Sequence, residues 1–510
     1  MLPGERRIMP TRRTVLKTLA LTSAATLAPR EPLFAEQPDK PLDDPLRPGF
    51  HYLPTCGWMN DPCGPIYWQG QYHLFHQYNP HAAVWGDMHW AHAVSPDMVH
   101  WQRLPVALAP TPGGPDAQGC FTGTAVVQDG RPTFLYTGVQ TVPLTEATIS
   151  DGVHSFRESQ CLAIATDNTL QHWKKLPAPV IPTPPPGMKV AGFRDPTPWR
   201  DGVIWYAIVG SGIAGKGGMA LLYRSPDLRT WEYLHPLAEG QWFGTSGPNP
   251  VDTGEMWECP DFFPLIDGKT KAEKHILIYS TQGKVLWQSG VLDKAAMRFH
   301  PEKTGELDYG RVGSNRVTYY APKTQLDAHG NRILWGWISE TRPEAEYSRA
   351  GWSGMMSLPR LLTLHDGELH MQPAPQIERL RTAVPGPTTQ EFLATLQQAS
   401  GPLTPFQLSD STGLLLEVRS DPSQTPRTLR LRPGNGEEMV IPMPGSLSPE
   451  AELHAFFDNS VLEIFIDRCF CITHRFYGRT ANQPIASLVL PGTYTVANPQ
   501  SFSLRRIWPG

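Results

Sequence analysis

The chain of 510 residues contains no CxxC pair, and its seven cysteines are an odd number. The first absence removes the usual zinc spacing, and the second argues against a disulfide scaffold. Cys469 and Cys471 stand two apart in a strand-like run, point to one face, and read as packing residues. Charge of one sign is also missing, since 44 basic against 48 acidic residues leave −4. No footprint for nucleic acid or an anionic membrane follows, and the expected ligands are neutral. Long apolar helical repeats are scarce. Instead, 53 Pro, 45 Gly and 16 Trp point to many short strands joined by turns, an all-β class. With 40% hydrophobic residues the chain can bury a large core and divide into more than one domain.

The N-terminus reads as an address. "TRRTVLK" (Thr11 to Lys17) pairs two arginines ahead of "TLALTSAATLA" (Thr18 to Ala28), which resembles a bacterial twin-arginine export signal. The apolar stretch of 11 residues, with several Thr and Ser, is too short and polar to span a bilayer. The expectation is an exported, periplasmic or extracellular protein with a signal over residues 1–35, cut near Ala35.

Periodicity carries the fold. "SPDMVHW" (Ser95 to Trp101), "TDNTLQHW" (Thr166 to Trp173) and "SPDLRTW" (Ser225 to Trp231) each follow a strand-like run with a polar turn and a Trp. A second series, Asp61, Thr122, Asp195, Glu258 and Tyr320, is spaced by 61, 73, 63 and 62 residues. Five strand-rich units of that length predict a β-propeller, whose innermost strands bring equivalent residues to one channel. Asp61, Asp195 and Glu258 are therefore expected at one mouth of it. The alternative, three acids that each cap a turn before Pro, weakens when all three fall in register.

Beyond about residue 370 the pattern changes. "QPAPQIERLRTA" (Gln372 to Ala383) holds a short helix candidate, and "LLLEVRS", "LHAFFDNSVLEIFID" and "CFCITHRFY" read as strands of a second all-β domain, a sandwich. The Pro-rich "PAPVIPTPPPG" (Pro177 to Gly187) reads as a connection between blades. "GSGIAG" (Gly210 to Gly215) matches a dinucleotide fingerprint, but a strand-like run follows where a helix is required, so it reads as a hairpin loop. His73 and His76 are three apart in a strand, on opposite faces, and make a poor joint metal site. No metal and no cofactor are implied.

"WMNDPCGP" (Trp58 to Pro65), "FRDP" around Asp195 and "WECPDFFP" around Glu258 resemble three motifs of glycoside hydrolase family 32, the invertases, inulinases, levanases and related fructosyltransferases. "HQYNP", "FTGTAV", "ILWGWISE" and "GWSGMMSLPR" look like its accessory blocks, and "FFDNSVLEIFID" is similar to a strand pair of its C-terminal sandwich. The match runs from about His51 to the C-terminus. It implies a five-bladed β-propeller over 48–370, a linker over 371–388 and a β-sandwich over 389–510.

The resemblance also implies a retaining hydrolase of terminal β-D-fructofuranosides, with Asp61 as nucleophile, Glu258 as acid and base, and Asp195 as transition-state stabiliser. A retaining enzyme needs its two reacting carboxyl groups about 5 to 5.5 Å apart, and the acid must stay protonated, which burial and neighbouring carboxylates favour. Arg194 supplies a donor fork beside Asp195. Asn60, Gln77, Trp85, Phe121 and Thr122 are implied substrate contacts. Core packing is the alternative for Trp85 and Phe121, and turn or ladder bonding for Asn60 and Gln77. Cys63 departs from the family's usual Asn, and "YSTQGKVLW" (Tyr279 to Trp287) lacks an Asp that plant invertases carry there, which tilts preference toward chain ends or broad specificity. Fructosyl transfer on the same residues and a sugar-binding propeller without catalysis remain the rivals, and the oligomeric state is open.

Overall fold

In the computed structural model, residues 44–149, 155–243, 254–312, 316–384, 386–400, 403–423, 428–434, 436–443, 447–478 and 483–508 are described. The export signal expected over 1–35 lies outside them. Strands dominate throughout, as the turn-rich composition requires.

Four antiparallel sheets follow one another along the chain. The first is β1 (Gly57–Trp68), β2 (Gln71–Asn79), β3 (His89–Ser95) and β4 (Gln102–Leu108), and the second β5 (Gly119–Gln128), β6 (Arg131–Thr141), β7 (Phe156–Ala165) and β8 (Trp173–Lys175). The third is β9 (Gly192–Asp201), β10 (Ile204–Ile213), β11 (Gly217–Ser225) and β12 (Glu232–Glu239), and the fourth β13 (Glu258–Ile266), β14 (Glu273–Thr281), β15 (Lys284–Asp293) and β16 (Arg298–Glu306). A small hairpin of β17 (Arg311–Val312) and β18 (Arg316–Val317) comes next. The fifth sheet begins with β19 (Tyr319–Leu326) and β20 (Arg332–Ile338). From there β21 (Trp352–Ser353) crosses to pair parallel with β1, β22 (Met355–Met356) returns to β20, and β23 (Arg360–His365) and β24 (Glu368–Pro373) complete the sheet.

Local chemistry explains the hairpins. Gln69-Gly70, Asp129-Gly130, Gln282-Gly283 and Asp366-Gly367 are two-residue loops with positive φ at both positions, the type I′ geometry that matches strand twist. The Trp-bearing turns join third to fourth strands. Asp97, Asp167 and Asp227 each accept backbone N–H groups of the turn, and Met98, Leu170 and Leu228 take left-handed φ. A fourth turn between third and fourth strands carries no Trp: Asp293 accepts from Ala295 and Ala296, and Met297 is left-handed. The "GSGIAG" stretch is the β10–β11 hairpin, and the Pro-rich run links β8 to β9.

The opening strands pack in succession, β1 on β5, β5 on β9, β9 on β13, β13 on β19, and β19 on β1. Residues far apart in sequence become neighbours there.

The remaining strands are β25 (Glu391–Gln398), β26 (Phe406–Asp410), β27 (Gly413–Asp421), β28 (Thr428–Pro433), β29 (Met439–Pro442), β30 (Glu450–Asp458), β31 (Val461–Ile466), β32 (Phe470–Arg475), β33 (Ala486–Pro491) and β34 (Tyr494–Phe502). They form two five-stranded sheets, in orders β32-β31-β30-β25-β34 and β26-β27-β33-β28-β29. Phe392, Leu453 and Ile464 of one share a core with Leu416, Leu431 and Leu488 of the other. Between these sheets and the first five, β24 runs through residue 370 to Pro373, and a 3-10 helix over Pro375–Leu380 buries Ile377 and Leu380. Buried polar contacts join the two parts. Asp458 accepts the backbone N–H groups of Gly49, Phe50 and His51, while Arg360 donates to Asp308, Glu463 and Thr473.

Candidate active site

Each opening strand carries a bulge at the same level, spanning Met59–Pro62, Cys120–Gly123, Arg194–Thr197, Glu258–Asp261 and Tyr320–Lys323. Proline removes a ladder donor, so in a strand it belongs where pairing is already broken. That is why Asp61-Pro62, Asp195-Pro196, Cys259-Pro260 and Ala321-Pro322 recur, with Thr122-Gly123 in the second sheet. Asp195, Cys259 and Ala321 take left-handed φ of 64°, 48° and 53°. Such backbone costs about 1–3 kcal/mol per residue and persists only where its surroundings fix it.

The motif register corrects the sequence reading by one residue. Asp61, Thr122, Asp195, Cys259 and Ala321 share the position before Pro or Gly, whereas Glu258 sits one earlier, level with Asn60, Phe121, Arg194 and Tyr320. Two acids share a register position, and the third comes from its neighbour.

The two positions build one polar network. Thr122 Oγ1 donates to Asp61 Oδ2 at 2.6 Å, and Asn60 Nδ2 reaches Asp61 Oδ1 at 3.1 Å and Gln77 Oε1 at 2.8 Å. Gln77 Nε2 in turn donates to Thr122 Oγ1 at 2.5 Å, and Trp58 Nε1 to Asn60 Oδ1 at 2.9 Å. Asp61 is thus held at both carboxylate oxygens. Asp195 Oδ2 accepts the Cys259 backbone N–H at 2.9 Å, and the Asp195 N–H donates to Thr137 Oγ1 at 2.9 Å. The Cys259 thiol lies 3.2 Å from Asp61 Oδ2 and 3.4 Å from Asp195 Oδ2. Asp61, Asp195 and Cys259 are also the group of acids and thiol among the described residues close enough, within 4.8 Å, to embrace a cation; the thiol contacts account for that closeness.

Glu258 is held separately. Arg194 donates to its Oε1 from Nε at 3.2 Å and Nη2 at 2.9 Å, and Tyr320 OH donates to Oε2 at 2.8 Å. The far edge of Arg194 is anchored by Glu158 at 3.0 Å, which also accepts the Phe193 N–H. Side-chain exposure separates the acids: Asp61 is 1% and Asp195 0% exposed as residues, while the Glu258 side chain is 12% exposed. Glu258 therefore faces the open side.

Trp85 is half-buried, and Phe121 is buried against Met88 and Val139 with its ring edge-on to Trp85 at 5.9 Å. The Phe121 ring lies against the Trp85 ring, its edge toward it. Cys63 is fully buried, and its thiol donates to the Asp61 carbonyl at 3.4 Å; burial, then the Asp61 charge, push it well above the usual thiol range. It packs in the core with Phe75, Trp90 and Phe134 as a neutral group. His73 bonds His92 at 2.9 Å, and His76 bonds Tyr52 at 3.2 Å and the Gln77 carbonyl at 2.9 Å. Burial lowers both histidines to about 4, so they stay neutral. All seven cysteines are free thiols.

Several members of the network were not singled out from sequence. Tyr320 was visible in the spacing series but not as a partner of Glu258. Cys259 and Thr137 carried no distinguishing signal, and Glu158 lies on β7, the third strand of another sheet. A separate cavity of about 480 Å³, lined by Tyr309, Arg311, His474, Arg475 and Tyr477, contains none of these side chains.

Residues 51–373 match the family model "Glycosyl hydrolases family 32 N-terminal domain". The chain is 34% identical over 462 residues to sucrose-6-phosphate hydrolase of Zymomonas mobilis, covering 82% of this chain and 83% of that one. It is 38% identical over 348 residues to sucrose-6-phosphate hydrolase of Escherichia coli, 66% of each chain. Among solved structures, fructan 1-exohydrolase IIa from Cichorium intybus superposes with a TM-score of 0.69 at 27% identity, covering 91% of this chain and 98% of that one.

Proposed function

Since the chain belongs to glycosyl hydrolase family 32 and is a glycoside hydrolase, we propose that it releases fructose from terminal β-D-fructofuranosides, sucrose and fructans, with retention of configuration. The observation that carries this reading is the pairing of one deeply buried, immobilised carboxylate, Asp61, with a second, more open one, Glu258, whose two oxygens are held by different partners.

In the proposed reaction an Asp61 oxygen attacks the anomeric carbon while Glu258 protonates the departing glycosidic oxygen. A fructosyl ester forms and the leaving sugar departs. Water then attacks the same carbon, gives its proton to Glu258, and frees Asp61. The hydrogen bonds specify which oxygen carries the acid proton. A guanidinium only donates, so Oε1 must remain the acceptor, and the proton belongs on Oε2. Tyr320 can accommodate either state, because a phenol donates to the carboxylate and accepts from the carboxylic acid. Asp195 binds fructose hydroxyls and strengthens that grip as the ring flattens. Asn60, Gln77, Thr122 and Arg194 fix the two reacting carboxylates, and Trp85 offers an aromatic face to the sugar.

The proposed architecture is a five-bladed β-propeller over 48–370, a linker over 371–388 and a β-sandwich over 389–510. The cyclic succession of contacts from β1 through β19 back to β1, and the likeness to solved family members, support it. Export through the twin-arginine route belongs to the same proposal and rests on Arg12 and Arg13 with the apolar run behind them.

Product analysis on sucrose, sucrose 6-phosphate, inulin and levan tests the reading, with wild type beside Asp61→Asn and Glu258→Gln. Free fructose from the wild type, reduced about 10²–10⁴-fold or more in each variant, is the expected result. Binding without release by the wild type would replace it with a sugar-binding function.

A further inference from the structure

In the reaction proposed above the acid proton sits on Glu258 Oε2, the oxygen that faces Tyr320 of the fifth sheet, while Oε1 faces Arg194 of the third. The departing oxygen has to reach Oε2, so the sugar behind it leaves toward the fifth sheet. Tyr320 pairs with Trp337 across β19 and β20, and directly opposed residues of antiparallel strands present their side chains on one face. The Trp337 and Trp58 ring centroids lie 5.8 Å apart at 57°, and those of Trp58 and Tyr347 6.2 Å apart at 56°. A row of aromatic rings therefore runs from the acid along the seam between the fifth sheet and the first.

Core packing is the plain alternative for such a row, and two observations weigh against it. Trp58, Trp337 and Tyr347 are each half-buried, which leaves part of each ring open. Tyr347 also sits on a helix over Glu344–Ala350 that fully buries none of its seven residues, so burial alone does not hold that helix in place. Polar staples do. Ahead of it Arg342 donates to Glu340 and to Asp44, each at 3.0 Å. Behind it Gly351, with φ of 76°, caps the last turn, and its carbonyl accepts the Gly57 N–H at 2.9 Å. Gly57 and Trp58 then pair with Trp352 and Ser353. The helix is thereby fixed against the strand that carries Asp61.

We infer that Tyr347, beside Trp58 and Trp337, is a specificity-determining contact for the leaving part of the substrate, a platform for the later sugar units of a fructan chain. The inference rests on the hydrolase reading given above and names the substrate class that its site favours. A sugar ring lays its C–H groups on an aromatic face, and a rigid ring offers that face at little cost in side-chain freedom. Sucrose leaves behind a single sugar unit, which meets the end of the row nearest Glu258. A fructan chain is long enough to reach the far end, where Tyr347 stands. Trp58 also donates to Asn60 and so touches the grip on Asp61, which makes Tyr347 the residue to vary.

The test compares wild type with Tyr347→Ala and Tyr347→Phe by steady-state kinetics on sucrose and on inulin. Loss of the ring is expected to lower the inulin-to-sucrose ratio of kcat/KM about tenfold, through KM on inulin more than kcat, because a contact remote from the reacting bond serves ground state and transition state alike. Tyr347→Phe retains the face and should keep the wild-type ratio. A ratio that Tyr347→Ala leaves within about twofold of wild type, or a phenylalanine variant as poor as the alanine one, would overturn the inference. Tyr347→Leu, which fills the space without an aromatic face, is read as the alanine variant would be if that variant does not fold. The two readings fail separately. A wild type that cleaves sucrose but not inulin defeats the platform and leaves the hydrolase standing. A wild type inert on every fructoside defeats the hydrolase, and calorimetric titration of inulin oligosaccharides then decides the platform: weaker binding by Tyr347→Ala supports it, and equal or absent binding overturns it.

Discussion

Arg194 places two donors, Nε at 3.2 Å and Nη2 at 2.9 Å, on a single oxygen of Glu258. That fork fixes the plane of the carboxyl group and leaves its other oxygen to Tyr320. A consequence for pH follows. A phenol that donates to a carboxylate favours its charged form, so Tyr320→Phe should let Glu258 keep its proton to higher pH. The basic limb of the kcat/KM profile is expected to move up by about one unit, the worth of a hydrogen bond to a charged group. A limb that moves down or not at all would separate Tyr320 from the acid.

Thr122→Val tests the grip on Asp61. The substitution keeps the shape and removes the 2.6 Å bond to Oδ2 along with the acceptor for Gln77. A loss of about 0.5–1.5 kcal/mol per bond predicts kcat/KM reduced about twofold to twelvefold per bond, and the buried Gln77 donor left without its acceptor lowers the melting temperature as well. Steady-state kinetics on sucrose beside a thermal melt would check it.

Arg360 is fully buried and bridges Asp308 at 3.0 Å, Glu463 at 2.7 Å and the Thr473 hydroxyl at 2.6 Å. Arg360→Met would strand two buried carboxylates, which costs about 3–5 kcal/mol. Denaturant unfolding should register that loss, and an equal midpoint for variant and wild type would contradict it.

His51 lies between Asp458 at 2.8 Å and Glu463 at 3.0 Å. Burial opposes its charge, but the two carboxylates prevail and raise it from the ordinary 6.5 to about 9. A raised imidazole stabilises the fold fully below about pH 6.5 and ceases to do so as pH climbs through about 9. His51→Gln should therefore melt below wild type at pH 6, with the gap narrowing by pH 10. A gap independent of pH would show that the imidazole does not titrate in this window.

The sequence by itself determined the strand-rich class, the recurrence of units and the placement of three acids at the starts of those units, because period-two patterns, Asp-Gly loops and X-Pro steps act over a few residues. It read three Trp-bearing turns and passed over the fourth, where Asp293 accepts from Ala295 and Ala296 without the indole that marked the others. It also aligned Glu258 with Asp61 and Asp195, since nothing local reveals where a bulge divides a strand. Only the tertiary structure decided that Glu258 stands one position earlier, that Glu158 anchors Arg194 from another sheet, and that Lys323 reaches across to Thr197 and Pro260. Those partners are separated by 36, 126 and 63 residues. Their meeting depends on how five sheets pack their opening strands, a non-local outcome of burial and register that no short stretch of residues encodes.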